Sequence, residues 1–398
     1  MLLGSLLVIA AVAGYQGSIV TQAISFVVDD FGSSKAAQGR ALATIRFDII
    51  ITLLLVQLAD RIGRRRLLLT CATVAPILTA STAAAPNLAL FAATQIIARG
   101  FVTATVVLIS VMGVEQIAAA NRGWASSVIV GAAGFGTSLL FIPVYFAETS
   151  PGFWRVMFLP PLIGIGAAVV AFRHIHETPR FTALEAHRRA GRFDDRFGDF
   201  RARLMVIAAW LILMGIFSSP ARQYLNDFLR EERSFSAKQV SLFGFLTNLP
   251  ALFGILLGGA ISDRRGRRRV IGVGLLGYGI ASGLMYLSSG TLLWTTAMVG
   301  SLFAAFALPG LAILVPELFP TALRSRASGI STGFNRIGGA IGLFTAGFVA
   351  DRFGVGPTLA VMSVSILIGA LIVMFAVPEP AGRELEALNP SDALPLIG

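Results

Sequence analysis

The chain has 398 residues, of which 55% are hydrophobic and 13% are charged, whereas soluble globular domains carry about 25% charged residues. Its net charge of +11 comes mainly from arginines in short segments between long apolar runs. Arginines in such positions are typical of topology signals in membrane proteins, so no nucleic-acid partner is expected. The single cysteine, Cys71, excludes an intramolecular disulfide and a cysteine-based metal site.

Twelve apolar runs are long enough to cross a bilayer, which requires about 20 mostly apolar residues. Runs of this kind form helices, because lipid leaves the edges of an open sheet unsatisfied. The sequence therefore predicts an all-α polytopic membrane protein with both termini on one side. The predicted transmembrane helices, numbered spans 1 to 12, are 3–27, 41–59, 67–85, 88–113, 124–146, 153–172, 204–221, 239–261, 270–288, 292–315, 327–349 and 355–377.

One long polar stretch divides these runs six and six. We expect an N-terminal six-helix bundle over 1–174, a cytoplasmic linker with some amphipathic helix over 175–203, a C-terminal six-helix bundle over 204–378 and a poorly packed cytoplasmic tail over 379–398. The arginine-rich segments after spans 2, 6 and 8 fall on one side of the membrane. Because basic loops mark the cytoplasmic side, a multi-pass protein of the cytoplasmic (inner) membrane is predicted, with both termini in the cytoplasm.

A short basic pattern occurs twice, about half a chain apart. Its copies are residues 60–66, Asp-Arg-Ile-Gly-Arg-Arg-Arg, and residues 263–269, Asp-Arg-Arg-Gly-Arg-Arg-Arg. At nearly the same offset, a glutamate twice precedes an arginine by seven residues, in Glu115 with Arg122 and in Glu317 with Arg324. The chain is therefore an internal duplication, and duplicated helical halves are the architecture of secondary transporters.

The basic pattern resembles the signature of the major facilitator superfamily, Gly-x-x-x-Asp-Arg-x-Gly-Arg-Arg, which residues 259–268 match fully. The first copy has Val56 in place of the first glycine, so span 2 is expected to pack less closely there. Further motifs resemble those of sugar porters and metabolite:proton symporters: Arg99-Gly100, Trp154-Arg155, Glu177-Thr178-Pro179-Arg180, the segment 316–324 and the segment 378–386. The resemblance implies a monomer with two pseudo-symmetric six-helix bundles that rock around a central site.

The resemblance also implies a role for the duplicated charges, which in the family hold the bundles together when the cytoplasmic side is closed. An aspartate in this pattern can accept hydrogen bonds from a neighbouring helix N-terminus and from arginines. The alternative is that these arginines only set topology, although topology alone needs no fixed acid spacing. The residues expected to form this cytoplasmic gate are Asp60, Arg64, Asp263 and Arg267, with Glu115, Arg122, Glu317 and Arg324 as partners.

Charges inside the spans indicate where transport chemistry could occur. Asp48 in span 2 lies twelve residues before Asp60, about 18 Å along a helix and near the middle of the bilayer. A charge there costs at least about 2.5–3.5 kcal/mol if it faces lipid, so it should face the bundle interior. We hypothesise that Asp48 takes and releases a proton while Arg99 or Arg46 pairs with its charged form. The alternative is a static ion pair that holds spans 2 and 4 together.

Several polar residues in or near the spans are candidates for substrate binding. Span 1 reads Gly14-Tyr15-Gln16 without the aspartate that sugar porters often carry, and span 7 lacks their paired glutamines, so no sugar is predicted. No acid is evident at mid-depth in the C-terminal bundle, and unpaired positive charge in a cavity favours an anionic substrate. Arg336 could instead cap a helix or bond to backbone carbonyls. The candidates are Gln16, Arg99, Arg222, Tyr224, Asn248, Asn335 and Arg336.

Together these features predict a secondary active transporter that takes up a small organic anion or metabolite with protons. Proton-antiport efflux of a drug or metabolite is the alternative, and a transporter-like sensor with little flux is an alternative of another class. The sequence has no phosphate-binding loop and no Ser/His/Asp arrangement, so neither an enzyme nor a cofactor is expected. No metal site is expected either, because the histidines, His174, His176 and His187, lie in or beside the linker without neighbouring ligands.

Overall fold

The computed structural model of the chain describes residues 2–33, 35–147, 152–189 and 200–389, and these residues form helices, turns and loops without a strand. The first half contains α1 (Leu2–Asp30), α2 (Lys35–Ile45), α3 (Asp48–Ile62), α4 (Arg64–Ser81), α5 (Leu88–Gln116), α6 (Arg122–Ser138), α7 (Phe141–Ala147), α8 (Ile163–His174) and α9 (Pro179–Arg189). The second half contains α10 (Arg201–Gln223), α11 (Leu225–Asp227), α12 (Ala237–Arg265), α13 (Arg267–Leu287), α14 (Gly290–Leu318), α15 (Arg324–Phe353), α16 (Val355–Ala376) and α17 (Leu385–Leu388).

Eleven helical segments in the described part of the chain are long and apolar enough to cross a membrane, and they coincide with eleven of the twelve predicted spans. Span 11, predicted at 327–349, is also helical and forms the central part of the 30-residue helix α15. Several polar residues of α15 are buried against other helices, among them Arg324, Ser325, Ser328 and Ser331. The predicted all-α polytopic architecture is therefore confirmed.

Predicted span 2 is not one continuous α-helix. It consists of α2 and α3, which are separated by a turn at Arg46 and Phe47. A tighter hydrogen bond of the i to i−3 type crosses this turn, from the Phe47 N–H to the Thr44 carbonyl at 3.0 Å. The turn directly precedes Asp48, so the predicted proton site lies at the first residue of a helix. Broken helices of this kind recur at the binding sites of transporters.

Predicted spans 5 and 6 are also interrupted, and prolines account for both interruptions. Pro143 lacks the N–H that would bond to the Leu139 carbonyl, which instead accepts from the Ile142 N–H at 3.3 Å where α6 gives way to α7. Span 6 begins with two short 3₁₀ segments, Phe153–Phe158 and Pro160–Leu162, before α8 starts. The sequence predicts each of these spans as a single helix, because apolar composition alone does not indicate where the helical backbone is interrupted.

Each half is held together by its own apolar cores. The N-terminal half has one core around Leu108 and Met112, and another in which Trp154 packs edge-to-face against Phe91 and Phe158. In the C-terminal half a single larger core contains many aromatic and aliphatic side chains, among them Trp210. Burial of such side chains contributes about 1.5–3 kcal/mol each. Two internally packed halves can move relative to one another without losing these contacts.

The duplicated basic turns share one local structure. Their glycines, Gly63 and Gly266, have φ angles of 106° and 99°, which residues with a side chain rarely adopt. Glu177 accepts hydrogen bonds from the first two backbone N–H groups of α4 at 3.1 and 3.1 Å, and Glu379 accepts from the first two of α13 at 2.7 and 3.2 Å. These glutamates are 202 positions apart, as are Glu115 and Glu317, so the duplication extends beyond spans 6 and 12.

The C-terminal tail corrects an expectation, because it is packed rather than loose as far as residue 389. Leu385 is fully buried between Val114 of α5 and Ile313 of α14, which belong to different halves. The Asn389 side chain donates to the Glu317 carbonyl at 3.4 Å. The polar, proline-rich composition concealed these two buried side chains. Residues 190–199 of the predicted linker and 390–398 of the predicted tail lie outside the described part of the chain.

Candidate functional site

Each duplicated aspartate bonds to the first turn of a helix in the other half. The Asp60 carboxylate accepts from the Arg326 N–H of α15 at 3.0 Å. The Asp263 carboxylate accepts from the Gly123 and Trp124 N–H groups of α6, both at 2.8 Å. Helix N-termini carry unsatisfied N–H groups and partial positive charge, so a carboxylate is stabilised there. The two aspartates thereby connect α3 with α15 and α12 with α6.

The glutamates also pair across the two halves. Arg324 Nη1 lies 2.6 Å from Glu115 Oε1, and Arg122 Nη1 lies 3.7 Å from Glu317 Oε1. Glu115 therefore pairs with Arg324 rather than with Arg122, and Glu317 pairs with Arg122 rather than with Arg324. This exchange arises because Arg122 and Arg324 begin helices that start beside the ends of α14 and α5 respectively. Each of the two pairs joins the N-terminal half to the C-terminal half.

Two further arginines complete the layer of charges. Arg267 makes a two-point contact with Glu317, at 3.0 and 3.2 Å, and bonds to Asp263 at 2.6 Å. Arg64 bonds to Asp60 at 3.1 Å and to the Thr321 carbonyl of the other half. Of the eight charged residues in this layer, all but Asp263 are buried. Four arginines balance four carboxylates, which offsets the high cost of burying each charge alone. This geometry supports the predicted gate role, which we carry forward as a proposal.

Val56, where the family pattern has glycine, is fully buried and packs against Gly329 of α15. A Cβ at Gly329 would lie 2.5 Å from the Val56 Cγ2 atom. At the equivalent seam between α12 and α6, Gly259 faces Ser127, and a Cβ at Gly259 would lie 1.8 Å from the Ser127 hydroxyl oxygen. The bulkier residue on α3 is therefore accommodated by a glycine on its partner helix. The motif around Val56 alone could not predict that the glycine lies on the partner helix.

Gly329→Ala is expected to lower the free energy of unfolding by about 1–3 kcal/mol, because the new methyl group overpacks against Val56. The change should appear as a lower Tm of the purified protein in thermal unfolding. Val56→Ala in the same chain should restore most of the loss, since it removes the clashing methyl group. Gly333→Ala on the same helix is the matched control, as its Cβ would meet Ile49 at an ordinary 3.7 Å. Equal Tm losses in Gly329→Ala and the control would contradict this packing.

A second charged cluster lies at mid-depth and also joins the halves. Asp48 is fully buried and forms an ion pair with Arg336 of α15, while Arg99 Nε lies 3.9 Å from its other oxygen. Arg336 also donates to the Thr103 hydroxyl at 3.0 Å. The sequence led us to expect Arg99 or Arg46 as the partner of Asp48 and Arg336 as unpaired. The expectation of an unpaired Arg336 is wrong, because α15 packs directly against α3.

The two charged layers are in register along the helices that carry them. Asp48 precedes Asp60 by twelve residues, Thr103 precedes Glu115 by twelve, and Arg324 precedes Arg336 by twelve. Twelve residues span about 18 Å of helix. The same helices, α3, α5 and α15, therefore contribute to both layers. The mid-depth layer and the layer proposed as the gate are therefore connected by three shared helices.

The Arg99-Gly100 motif places Arg99 beside Asp48. A Cβ at Gly100 would lie 2.6 Å from the Ile51 Cβ atom, so only glycine allows α5 to approach α3 this closely. The Thr52 hydroxyl uses this proximity to donate to the Gly100 carbonyl at 3.2 Å. Arg99 also donates to the Gly17 carbonyl of α1 at 3.2 Å. Close packing of three helices therefore fixes the position of this arginine.

The mid-depth cluster carries excess positive charge. It contains three arginines and one carboxylate, a net charge of +2 among the described residues: Arg46, Arg99, Arg336 and Asp48. The charge of Arg46 lies close enough to repel those of Arg99 and Arg336. About a quarter of the Arg99 side chain is exposed, as is 22% of that of Arg336. Such a cluster attracts an anion that can reach it.

The structure does not bring the remaining substrate candidates to this cluster. Gln16 donates to the Thr79 hydroxyl at 2.9 Å inside the N-terminal half, Asn335 donates to the Leu211 carbonyl at 3.2 Å, and Asn248 bonds to its own helix. Arg222 is exposed, and Tyr224 is partly buried near α15. Sequence reasoning missed Thr103, although its spacing to Glu115 equals that of Asp48 to Asp60.

Similarity to known proteins extends over both halves of the chain. The family model described as Major Facilitator Superfamily matches residues 221–395. A putative metabolite transport protein of Haemophilus influenzae is 26% identical over 58% of this chain and 60% of its own length. A cis,cis-muconate transport protein of Acinetobacter baylyi is 27% identical over 57% of this chain and 57% of its own length. The chain thus spans less than two thirds of both of these relatives.

Two further comparisons cover most of the chain. A gentisate transporter of Corynebacterium glutamicum is 25% identical over 90% of this chain and 83% of its own length. The fold is similar to that of the solved major facilitator superfamily proton:xylose symporter bound to 6-bromo-6-deoxy-D-glucose. That comparison has a TM-score of 0.81 with 18% identity, and it covers 97% of this chain and 98% of the other. At this identity the similarity shows the fold.

Proposed function

We propose that this chain, whose residues 221–395 match the family model of the Major Facilitator Superfamily, is a member of that superfamily and takes up a small organic anion together with protons. The anion binds between the two halves at mid-depth, and access alternates as the halves rock. The mid-depth cluster, with three arginines for one carboxylate, is the observation that carries this proposal. A neutral sugar would leave this excess charge unbalanced, whereas a carboxylate substrate neutralises part of it.

Two of the relatives are named as transporters of carboxylates. Gentisate and cis,cis-muconate are both organic acids that are ionised at neutral pH, and the transporters named for them are similar to this chain over 90% and 57% of its length. Both molecules could be attracted by the excess positive charge around Asp48. The relatives therefore favour the same substrate class as the charge balance, which makes small carboxylates the first compounds to test.

Asp48 is the residue we assign to proton coupling. It is fully buried at mid-depth, and Gln16, which stands where sugar porters often have an acid, cannot titrate. Ionised Asp48 pairs with Arg336 and faces Arg99. Protonation would remove its charge, weaken both attractions and release the contact between the halves. A proton and an anion would then act on the same cluster, which is a physical basis for coupled movement.

Transport in proteoliposomes tests this function. We expect radiolabelled gentisate to accumulate beyond the level in protein-free liposomes when the outside is more acidic, and a proton ionophore to abolish this excess. The neutral amide of the same compound should not accumulate, because it lacks the negative charge. Accumulation driven only by the opposite gradient would indicate antiport efflux, and binding without flux would indicate a sensor. Equal accumulation of acid and amide would contradict an anion transporter.

A further inference from the structure

Arg46 is a charged side chain at mid-depth that has no partner among the described residues. It lies in the turn between α2 and α3, and it is partly buried. Within residues 2–33, 35–147, 152–189 and 200–389, its guanidinium forms no hydrogen bond and no ion pair. A guanidinium carries five N–H donors, and an unpaired charge within a bilayer is costly. A charged residue inside a membrane span without a protein partner is therefore a candidate binding site.

The guanidinium of Arg46 extends to the opposite half of the molecule. Its Nη1 atom lies 3.6 Å from the point that a Cβ on Gly339 of α15 would occupy. The hydroxyl oxygen of Ser219 on α10 lies 2.2 Å from the same point. The two polar atoms are therefore separated by no more than 5.8 Å, the sum of these distances. Ser219, like Arg46, has no hydrogen-bond partner among the described residues.

The absence of a side chain at Gly339 makes room for the Ser219 hydroxyl, which lies 2.2 Å from the point that a Cβ would occupy. An alanine there would place a methyl carbon 3.1 Å from the Ser219 Cβ atom and close to the Arg46 guanidinium. The other two arginines are already engaged, because Arg99 bonds to the Gly17 carbonyl and Arg336 bonds to Asp48 and Thr103. Arg46 is thus the arginine of the cluster for which the described residues provide no hydrogen-bond acceptor, so all of its donors can face an incoming anion.

We propose that Arg46 and Ser219, which converge over Gly339, form the subsite that holds the carboxylate of the substrate. This inference rests on the proposed function and deepens it. A carboxylate matches the planar fork of a guanidinium through two parallel hydrogen bonds, and the serine hydroxyl supplies a third donor. Arg46 belongs to the N-terminal half, whereas Ser219 and Gly339 belong to the C-terminal half. A bound carboxylate would therefore bridge both halves, as a substrate must when it drives their movement.

Binding of gentisate, benzoate and cis,cis-muconate to the purified full-length protein, measured by isothermal titration calorimetry, tests the subsite. Arg46→Gln should weaken binding of the acid by about 10- to 100-fold, as expected for loss of hydrogen bonds to a charged group. Arg46→Lys keeps the charge without the fork, so its loss should be smaller. Ser219→Ala should give a smaller loss, and Gly339→Ala should abolish binding. Gly333→Ala, whose Cβ meets only ordinary contacts on the same helix, is the matched control.

The outcomes separate the subsite from the proposed function. Wild-type protein that binds an acid, with unchanged affinity in Arg46→Gln and Gly339→Ala, would overturn the subsite alone. Loss of binding in Arg99→Gln or Arg336→Gln but not in Arg46→Gln would place the carboxylate on Arg99 or Arg336 instead. Wild-type protein that binds none of the three acids would overturn the proposed function and the subsite with it. Each variant is first checked for a wild-type Tm, and Arg46→Gln keeps the test decisive if Gly339→Ala misfolds.

Discussion

Replacing Glu317 by glutamine is expected to open the cytoplasmic side of the protein. Glu317 is fully buried, accepts two hydrogen bonds from Arg267 and faces Arg122 at 3.7 Å. Removal of its charge leaves Arg267 and Arg122 buried with one carboxylate fewer to balance their charges. Loss of one partner from a buried ion pair costs about 3–5 kcal/mol, because the other charge stays buried without compensation. A cytoplasm-open state would hydrate these arginines, so it becomes favoured by roughly 100-fold or more.

Cysteine accessibility can measure this opening directly. Ser126 of α6 is buried and donates to the Pro309 carbonyl of the other half at 2.8 Å, so Ser126→Cys reports on the seam between the halves. The natural Cys71 is buried within the N-terminal core and should contribute little background. In the Glu317→Gln background, the thiol introduced by Ser126→Cys should react much faster with a membrane-impermeant maleimide added from the cytoplasmic side. An unchanged rate would contradict the gate role of this network.

Glu384→Gln provides a matched control for this prediction. Glu384 also pairs with Arg122, at 3.5 Å, but 58% of its side chain is exposed. Exposed ion pairs contribute only about 0–1 kcal/mol, because water already compensates both charges. The control should therefore leave the labelling rate nearly unchanged. Equal effects of Glu317→Gln and Glu384→Gln would mean that burial does not determine the strength of the gate.

The sequence predicted the spans, the duplication and the charged residues that meet in the layer proposed as the gate, because each depends on composition or on spacing along one chain. It did not predict which acid pairs with which base. Glu115 and Arg122 belong to one motif copy, yet each pairs with a residue of the other copy. Partner exchange of this kind depends on how the halves pack face to face. Hydropathy windows carry no information about that packing.

The mid-depth site was predicted in part, and the missing part has a physical reason. Asp48 and Arg99 were identified because a charge within a span is costly. Arg336 was identified as a charge but not as the partner of Asp48, since the two are 288 positions apart. Ser219 and Gly339 carry no charge, and the importance of Gly339 appears only when its neighbours are known. For Thr103 and Arg336, the sequence signal was their spacing of twelve residues from a charged residue of the gate, which Asp48 shares.

The register of the two layers suggests how binding at mid-depth could reach the gate. Arg336 and Arg324 lie on one continuous helix, α15, and Arg324 bonds to Glu115 in the gate. Thr103, which binds Arg336, lies on α5 together with Glu115. Release of Arg336 from Asp48 would free α15 from α3 and α5 at mid-depth. The proposed gate and the packing of Val56 against Gly329 would then hold α15 against these helices, so we expect the two layers to open in a linked way.

Asp48→Asn is expected to abolish proton-driven accumulation of substrate. The change removes the carboxylate that is proposed to carry the proton and leaves three arginines at mid-depth without an acid: Arg46, Arg99 and Arg336. Uncompensated charges in a buried site are destabilising, so the single variant should also have a lower Tm. The loss of accumulation could then follow from instability alone. A second substitution is needed to distinguish a proton site from a static ion pair.

Asp48→Asn combined with Arg336→Gln makes this distinction. The double variant removes one charge of each sign, so its Tm should recover relative to Asp48→Asn. If Asp48 carries the proton, the double variant should exchange substrate across the membrane without a gradient, yet fail to accumulate it when the outside is acidic. If the pair is only structural, the recovery of stability should restore accumulation and its pH dependence together. Restored accumulation would therefore remove Asp48 from the coupling mechanism, because a side chain that cannot titrate cannot couple transport to protons.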